Sequence, residues 1–231
     1  TPRIMERFTS SVNLRFIDVS FSYNTVSENI VSSLCVHFAP GWTGIAGPNG
    51  SGKTTIAKLA TGLLLPSKGS ISGLSREIST IYCLQETEFP PDHSGEFLFS
   101  SSNRAGELRS LLGINRDWPD RWETLSHGER KRFQTGVSLW LEPEILALDE
   151  PTNHLDSSAR KLIQSALKTY NGTGLIISHD RELLDTLCTS VLFVRPGNAV
   201  LRPGGITAGL EQERIEEAGR EREYDLAKEE L

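Results

Sequence analysis

The chain has 231 residues and a formal net charge of −6, and 37% of its residues are hydrophobic, which is typical of a globular protein. The acidic balance excludes a general electrostatic affinity for nucleic acid, and no apolar run approaches the ~20 residues of a membrane-spanning helix. Three separated cysteines, Cys35, Cys83 and Cys188, fit neither a metal-ligand pattern nor a disulfide framework, so we expect buried free thiols in a cytoplasmic protein.

The first part of the chain predicts strands. Apolar and polar residues alternate over residues 14–23, which indicates a half-buried strand, and residues 31–38 predict a second strand antiparallel to it. A short third strand is predicted at 42–46. Its position matters because it leads directly into a glycine-rich segment.

The glycine-rich segment has the spacing G-x-x-x-x-G-K-[ST], typical of a loop that holds nucleoside triphosphates. Its glycines let the backbone turn tightly, so that successive N–H groups face phosphate oxygens. Lys53 is expected to reach the β- and γ-phosphates, Thr54 to ligate Mg²⁺, and a helix at 56–65 to point its N-terminus at the anion. The residues expected to contact the nucleotide here are Gly47, Pro48, Asn49, Gly50, Ser51, Gly52, Lys53, Thr54 and Thr55.

The middle of the chain predicts a change from strands to helices. A short strand at 70–72 precedes an apolar, β-branched strand at 78–84, which we interpret as buried. Gln85 follows it; its amide either contacts the metal or the attacking water, or is an ordinary surface group. Helices are then predicted at 96–99, 104–112 and 128–141. Together they indicate a small helical subdomain over about residues 86–141.

The last of these helices begins with a capping sequence. Ser126 is a natural N-cap, and Glu129, three residues later, completes a capping box. The same helix N-terminus is suited to binding an anion through its free N–H groups and its dipole. Residues 130–132 read Arg-Lys-Arg, which we interpret as one solvated face of the helix.

Two apolar strands in the second half deliver polar side chains at their ends. The strand at 145–148 is followed by Asp149 and Glu150, and adjacent acids at the end of a buried strand need a cation or proton donor nearby. Asp149 is therefore expected to hold Mg²⁺, and Glu150 to polarise the water that attacks the γ-phosphate. The strand at 174–178 ends at His179, whose imidazole is placed to hydrogen-bond the γ-phosphate.

The remaining elements complete the sheet and then leave it. A helix at 157–170 is predicted to connect those two strands, and strands at 191–194 and 199–201 form a hairpin about residues 196–198. From residue 209 onward Glu, Arg and Lys predominate, which predicts an exposed helix rather than core.

Taken together, these residues resemble the nucleotide-binding domain of ABC ATPases over about residues 12–205. The motifs follow the family's order at Tyr23, 47–54, Gln85, 125–129, 149–150, 155–156 and His179. The resemblance implies an α/β fold of the P-loop NTPase class, with an antiparallel β subdomain and a small helical subdomain. It also implies an ATPase whose cofactors are ATP and Mg²⁺.

The resemblance assigns further residues to the nucleotide. Tyr23 would stack on the adenine, unless it is simply a core aromatic residue. The segment LSHGE at 125–129 resembles the family's LSGGQ signature, with His127 in place of its first glycine and Glu129 in place of its glutamine.

The resemblance further implies a head-to-tail pair with a second ABC ATPase domain, either in the same polypeptide or in a homodimer. Ser126 and Gly128 of one domain would then close over the γ-phosphate held by Lys53 of the other. Asp156 would lie in the loop that communicates across this interface.

Two segments are similar to the F subfamily, in which one chain carries two ATPase domains and many members act on the ribosome as translation or antibiotic-resistance factors. They are PTNHLD at 151–156 and SHDRE at 178–182. The chain would then be a first half, with an ATPase domain at 1–205 and the start of an exposed linker helix at 206–231. Because the chain is acidic, contact with ribosomal RNA would come through other regions of the protein.

The alternative is the ATPase subunit of a membrane transporter with a permease partner. That interpretation predicts a coupling surface near Gln85 and the helical subdomain. Only about forty residues separate Gln85 from Leu125, which is short for such a surface and favours the F type.

Overall fold

The computed structural model describes residues 12–23 and 29–229. Residues 1–11, 24–28 and 230–231, which fall within the predicted domain and linker, lie outside the described residues. The described part contains a three-stranded and a six-stranded sheet, with helices packed against the larger one.

The smaller sheet is antiparallel, as predicted, and contains a bulge. Its strands in spatial order are β2 (Val31–Phe38), β1 (Leu14–Phe21) and β4 (Lys68–Ser72). Pairing between β1 and β4 shifts register near Asp18, which has a positive φ of 51°. Gly69 lies against this bulge, and a Cβ on it would stand 2.2 Å from the Asp18 carbonyl oxygen. Only glycine fits at that point.

The larger sheet places four strand ends beside one another. Its strands in spatial order are β5 (Thr80–Cys83), β6 (Ile145–Asp149), β7 (Thr173–Ile177), β3 (Gly41–Ala46), β8 (Cys188–Arg195) and β9 (Asn198–Pro203). The first five run parallel, and β9 pairs antiparallel with β8, which confirms the predicted hairpin. Every residue of β6 and β7 is buried, so these strands read as continuous apolar runs in the sequence.

Helices cover this sheet and build the helical subdomain. Those packed on the sheet are α1 (Lys53–Ala60), α5 (Ser157–Leu167) and α6 (Arg181–Leu187). The helical subdomain contains α2 (Ser94–Phe99), α3 (Asn103–Leu112), a 3₁₀ helix (Pro119–Thr124) and α4 (His127–Trp140). Its core forms around the Phe133 ring, which lies 5.9 Å from Phe97 and 5.8 Å from Trp122.

Three expectations need correction. Helix α1 ends at Ala60 rather than at residue 65, because Gly62 adopts a left-handed φ of 74° that a continuing helix cannot contain. Strand β5 is a half-buried edge strand rather than a buried one, because β6 is its one neighbour among the described strands. Cys35 is exposed, whereas the other two thiols are buried as expected. Every other predicted boundary lies within three residues; the 3₁₀ helix and α6 were not predicted.

The predicted solvated face at 130–132 is wrong. Lys131 is 1% exposed, and its Nζ donates to the carbonyl oxygen of Leu84 at 2.8 Å and to Gln134 Oε1 at 3.0 Å. A buried ammonium group needs such acceptors, because it has lost its hydration. The flanking guanidinium groups of Arg130 and Arg132 lie over tryptophan rings, at 5.7 and 5.0 Å from the ring centroids.

Two neighbouring side chains of α4 also donate hydrogen bonds to the segment after β5. Gln134 Nε2 donates to the carbonyl oxygen of Glu86 at 3.3 Å, and Arg130 Nη1 donates to that of Thr87 at 3.4 Å. With Lys131, three side chains of one helix therefore satisfy backbone carbonyls in the short segment that contains Gln85.

The charged C-terminal helix, α7 (Ile206–Glu229), is anchored at its start rather than exposed throughout. Ile206 is buried, and Gly209 lies against the ring of Phe193. Arg202 and Glu216 form a bidentate ion pair with both N···O distances at 2.7 Å. None of the helices among the described residues is long and apolar enough to cross a bilayer.

Candidate active site

The predicted polar residues meet because their strands are consecutive neighbours. The glycine-rich loop follows β3, His179 follows β7, Glu150 follows β6 and Gln85 follows β5, in the spatial order of the sheet. Carboxyl ends of parallel strands share one edge of a sheet, and ligands of open α/β folds bind there. A cavity of about 590 Å³ lies at this edge.

Most of the predicted site residues line this cavity. From the loop and the start of α1 they are Asn49, Gly50, Gly52, Lys53, Thr54 and Thr55. From the other elements they are Tyr23, Gln85, Asp149, Glu150 and His179. Sequence reasoning missed Asn153, Ile30 and Ile177, which also line it. Asn153 lies in the quoted PTNHLD segment and could have been found there.

The loop holds its lysine at the cavity through backbone carbonyl groups. Gly50 and Gly52 have φ values of 78° and 100°, which glycine adopts without strain. Lys53 is buried, and its Nζ donates to the carbonyl oxygens of Gly47 and Pro48 at 2.9 Å each. Ser51 is buried within the same loop. The N-terminus of α1 and the Lys53 ammonium group thus point positive charge at the same space.

Oxygen donors for a hard cation lie beside the lysine. The Thr54 hydroxyl donates to Asp149 Oδ2 at 3.0 Å, and the Tyr82 hydroxyl donates to the same oxygen at 2.6 Å. Hydroxyl and carboxylate oxygens are the ligands that Mg²⁺ prefers, so this donor set fits the metal that accompanies a triphosphate. Burial, together with the hydrogen bond to Asp149, raises the pKa of Tyr82, so that the phenol keeps its proton.

Glu150 and His179 form the next pair along the strand ends. Glu150 is buried with a positive φ of 47°, and its backbone N–H donates to the Ile177 carbonyl oxygen at 2.9 Å. Its Oε1 lies 3.6 Å from the ring nitrogen Nε2 of His179, and its Oε2 accepts a hydrogen bond from the backbone N–H of His179 at 3.4 Å. Burial raises the pKa of Glu150, and the neighbouring His179 offsets part of that shift. A carboxylate with a raised pKa is a stronger base towards water.

Tyr23 lies at the outer side of the cavity, just beyond the end of β1. Its side chain is exposed, its hydroxyl shares a 3.3 Å hydrogen bond with Thr55 Oγ1, and its ring meets Phe21 edge to face at 5.0 Å. The ring is therefore fixed in position while most of its surface stays open to a ligand.

Six residues predicted to contact nucleotide do not line this cavity: Gly47, Pro48 and Ser51 of the loop, and Ser126, Gly128 and Asp156. Ser126 caps α4, accepting from the Glu129 N–H at 3.2 Å, while the Glu129 carboxylate accepts the Ser126 N–H at 2.8 Å. This confirms the predicted capping box, and it lowers the pKa of Glu129. Gly128 lies against α5, whose N-cap is Asp156.

His127 lies beside a second histidine at this end of α4. Its ring centroid lies 6.3 Å from that of His154, which has a positive φ of 58°. Partial burial lowers the pKa of His127, and the nearby Lys131 and His154 add to the shift.

Comparison with known proteins identifies the family. Residues 34–153, more than half of the chain, match the family model described as "ABC transporter". A putative ABC transporter ATP-binding protein from Nitratidesulfovibrio vulgaris is 31% identical over 214 residues, covering 82% of this chain and 78% of that protein. The ribosome protection protein VmlR of Bacillus subtilis is 34% identical over 157 residues, covering 65% of this chain but 28% of VmlR.

A solved structure gives the same fold. The dimeric post-hydrolysis state of the ATP-binding cassette MJ0796, bound to ADP and Pi, superposes with a TM-score of 0.68 at 18% identity, covering 82% of this chain and 98% of that one. The α/β fold with its antiparallel subdomain is therefore that of ABC ATPase domains. The chain belongs to the ABC transporter family, as an ATPase domain that binds and hydrolyses ATP with Mg²⁺ as cofactor.

Proposed function

We propose that the cavity at the strand ends holds Mg-ATP and that its residues divide the work of hydrolysis. Lys53 and the loop would bind the phosphates, while Thr54, Asp149 and Gln85 would hold Mg²⁺, which would supply positive charge next to the phosphates. Support comes from the oxygen donors of Thr54 and Asp149, which lie within a hydrogen bond of each other. Catalysis by such a site is mostly positional and electrostatic.

We further propose that Glu150 is the base. Its carboxylate would polarise the attacking water, and His179 would hydrogen-bond the γ-phosphate. Burial and the 3.6 Å approach of the imidazole support these roles, because they fix the carboxylate next to the loop in a position poor in competing solvent. Attack on the γ-phosphate would then be in line.

We propose that the domain works as one half of a head-to-tail pair. Ser126, Gly128 and Asp156 lie around the N-terminal ends of α4 and α5 rather than at the cavity of their own chain. A partner's cavity could receive them. The dimeric state in which MJ0796 was solved supports such pairing.

The biological setting that we propose is an F-type protein acting on the ribosome. The observation that carries this proposal is the 34% identity to VmlR, a ribosome protection protein, in a chain that also reads PTNHLD and SHDRE. We propose an ATPase domain at 1–205 and a linker from 206 onward. The polar helix α7, held at its start by Ile206 and by the Arg202–Glu216 pair, suits such a connection.

A second candidate is the ATPase subunit of a membrane transporter. A cleft of about 510 Å³ lies between β5, the segment after it and α4, with Phe89 at its rim 78% exposed. Leu84 and Phe89 both line the cleft and are exposed, and apolar residues grouped beside an open cleft favour a protein partner at this place. The Nitratidesulfovibrio relative, named a transporter ATP-binding protein, supports the same alternative.

Co-sedimentation of the full-length protein with ribosomes separates the two candidates. With ATP, the Glu150→Gln variant should pellet with ribosomes, because it binds but does not hydrolyse, whereas the Lys53→Ala variant should remain in the supernatant. If neither variant pellets with ribosomes, and the protein is recovered instead with membranes that contain a permease, the transporter candidate is correct.

A further inference from the structure

Tyr82 connects the edge strand to the metal-binding carboxylate of its neighbour. Strands β5 and β6 run parallel with Tyr82 opposite Ala147, and Asp149 lies two residues further along β6. Side chains two residues apart in a strand point to the same face of the sheet. The Tyr82 hydroxyl therefore reaches along that face to Asp149 Oδ2, at 2.6 Å.

The hydrogen bonds fix which oxygen of Asp149 is left for other partners. Oδ2 accepts both the Tyr82 hydroxyl and the Thr54 hydroxyl, at 2.6 and 3.0 Å. Asp149 is buried, so these charge-assisted bonds hold the carboxylate in one orientation. The carboxylate therefore has little freedom to rotate, and Oδ1 would be the oxygen offered to a cation or to a cation-bound water.

Packing alone does not require the hydroxyl. The Tyr82 ring packs against the cluster that contains Ala147 and Ile145, and Lys58 Nζ lies 5.8 Å from the ring centroid. Phenylalanine would fill the same space and keep the same cation–π contact. What tyrosine adds is one donor, and that donor lies on the carboxylate.

We propose that Tyr82 is a positioning residue of the magnesium site, which orients Asp149 for the hydrated cation without contacting nucleotide. This inference rests on the proposed role of Asp149 in holding Mg²⁺. Partners that orient metal ligands through hydrogen bonds typically change metal affinity by about 10- to 100-fold when removed. We expect a value near the lower end, because Thr54 still donates to the same oxygen.

The test measures the magnesium contribution to nucleotide binding. The full chain is titrated by calorimetry with a non-hydrolysable ATP analogue, once with Mg²⁺ and once with EDTA. The dissociation constant in EDTA divided by the constant with Mg²⁺ reports that contribution. Tyr82→Phe should lower the ratio about tenfold and leave the constant in EDTA unchanged. The matched control is Tyr170→Phe, because Tyr170 also donates its hydroxyl to an oxygen inside the fold, but that oxygen is the carbonyl of Pro143, just before β6, rather than Asp149. It should leave the ratio unchanged.

Asp149→Asn distinguishes the possible failures. If it lowers the ratio and Tyr82→Phe does not, the role of Tyr82 is refuted while that of Asp149 stands. If neither variant lowers the ratio, the proposed role of Asp149 is refuted, and the inference for Tyr82 is refuted with it. A loss in Tyr82→Phe that is equal with Mg²⁺ and with EDTA would mean general damage to the site, and it would also overturn the inference.

Discussion

Replacing Glu150 with glutamine should abolish hydrolysis without weakening ATP binding. The two side chains have nearly the same shape, and the glutamine oxygen can still accept the His179 N–H that Glu150 Oε2 accepts at 3.4 Å. What is lost is the negative charge that would act on the water. A positioned general base contributes about 10²- to 10⁴-fold in rate, so kcat should fall by that factor, which corresponds to about 3–5 kcal/mol of activation free energy.

The same substitution should leave the fold equally stable or more stable. Burial raises the pKa of Glu150 above its ordinary value of 4.5, so the ionised carboxylate costs free energy in the folded state. That cost is absent at low pH, where the group is protonated in both states. It develops as the pH rises from 4.5 through the folded pKa. The stability advantage of Glu150→Gln should therefore grow with pH over this window.

Phosphate release, calorimetry and thermal unfolding together test this reasoning. Glu142→Gln is a matched control, because Glu142 has the same φ of 47° but its side chain is 71% exposed and does not line the cavity. It should change neither kcat nor the pH dependence of stability. Native turnover in Glu150→Gln would refute the assignment of the base. A large loss of stability at neutral pH would refute the argument from burial.

Three further substitutions test the loop, the helix contact and the bulge. Lys53→Ala should weaken ATP binding by about tenfold or more in calorimetry, since it removes charge-assisted bonds to phosphate; undiminished affinity would exclude Lys53 from the site. Lys131→Ala should lower the free energy of unfolding in urea by about 2–4 kcal/mol, because it leaves a cavity and an unpaired Leu84 carbonyl, and an unchanged midpoint would contradict this. Gly69→Ala should lower it by at least about 1–3 kcal/mol, because its Cβ would collide with Asp18; a stabilised variant would show that the bulge relaxes freely.

Features that depend on residues near one another in the chain were predictable. Each of three features consists of residues only a few positions apart: the glycine-rich loop, the acids after β6, and the capping box of Ser126 and Glu129. Their roles can be predicted from the sequence because a local backbone geometry dictates the residue types.

Features that depend on distant pairing were not predictable. Tyr82 reaches Asp149 because of the register between two strands, and 67 positions separate the two residues. Lys131 is buried because its ammonium group meets the Leu84 carbonyl, 47 positions away. A basic triplet on a helix gives no indication of such an acceptor, so the expectation of a solvated face followed the ordinary behaviour of lysine.

Helix α4 joins two places that, in the proposed pair, serve different nucleotides. Its first residues follow Ser126, which would face the partner's ATP, while Lys131 and Gln134 hold the carbonyls of Leu84 and Glu86 on either side of Gln85. All of these contacts fall within about two turns, a length over which a helix is stiff. The stiff length of α4 would therefore tie the position of Ser126 to that of the segment around Gln85 in the proposed pair.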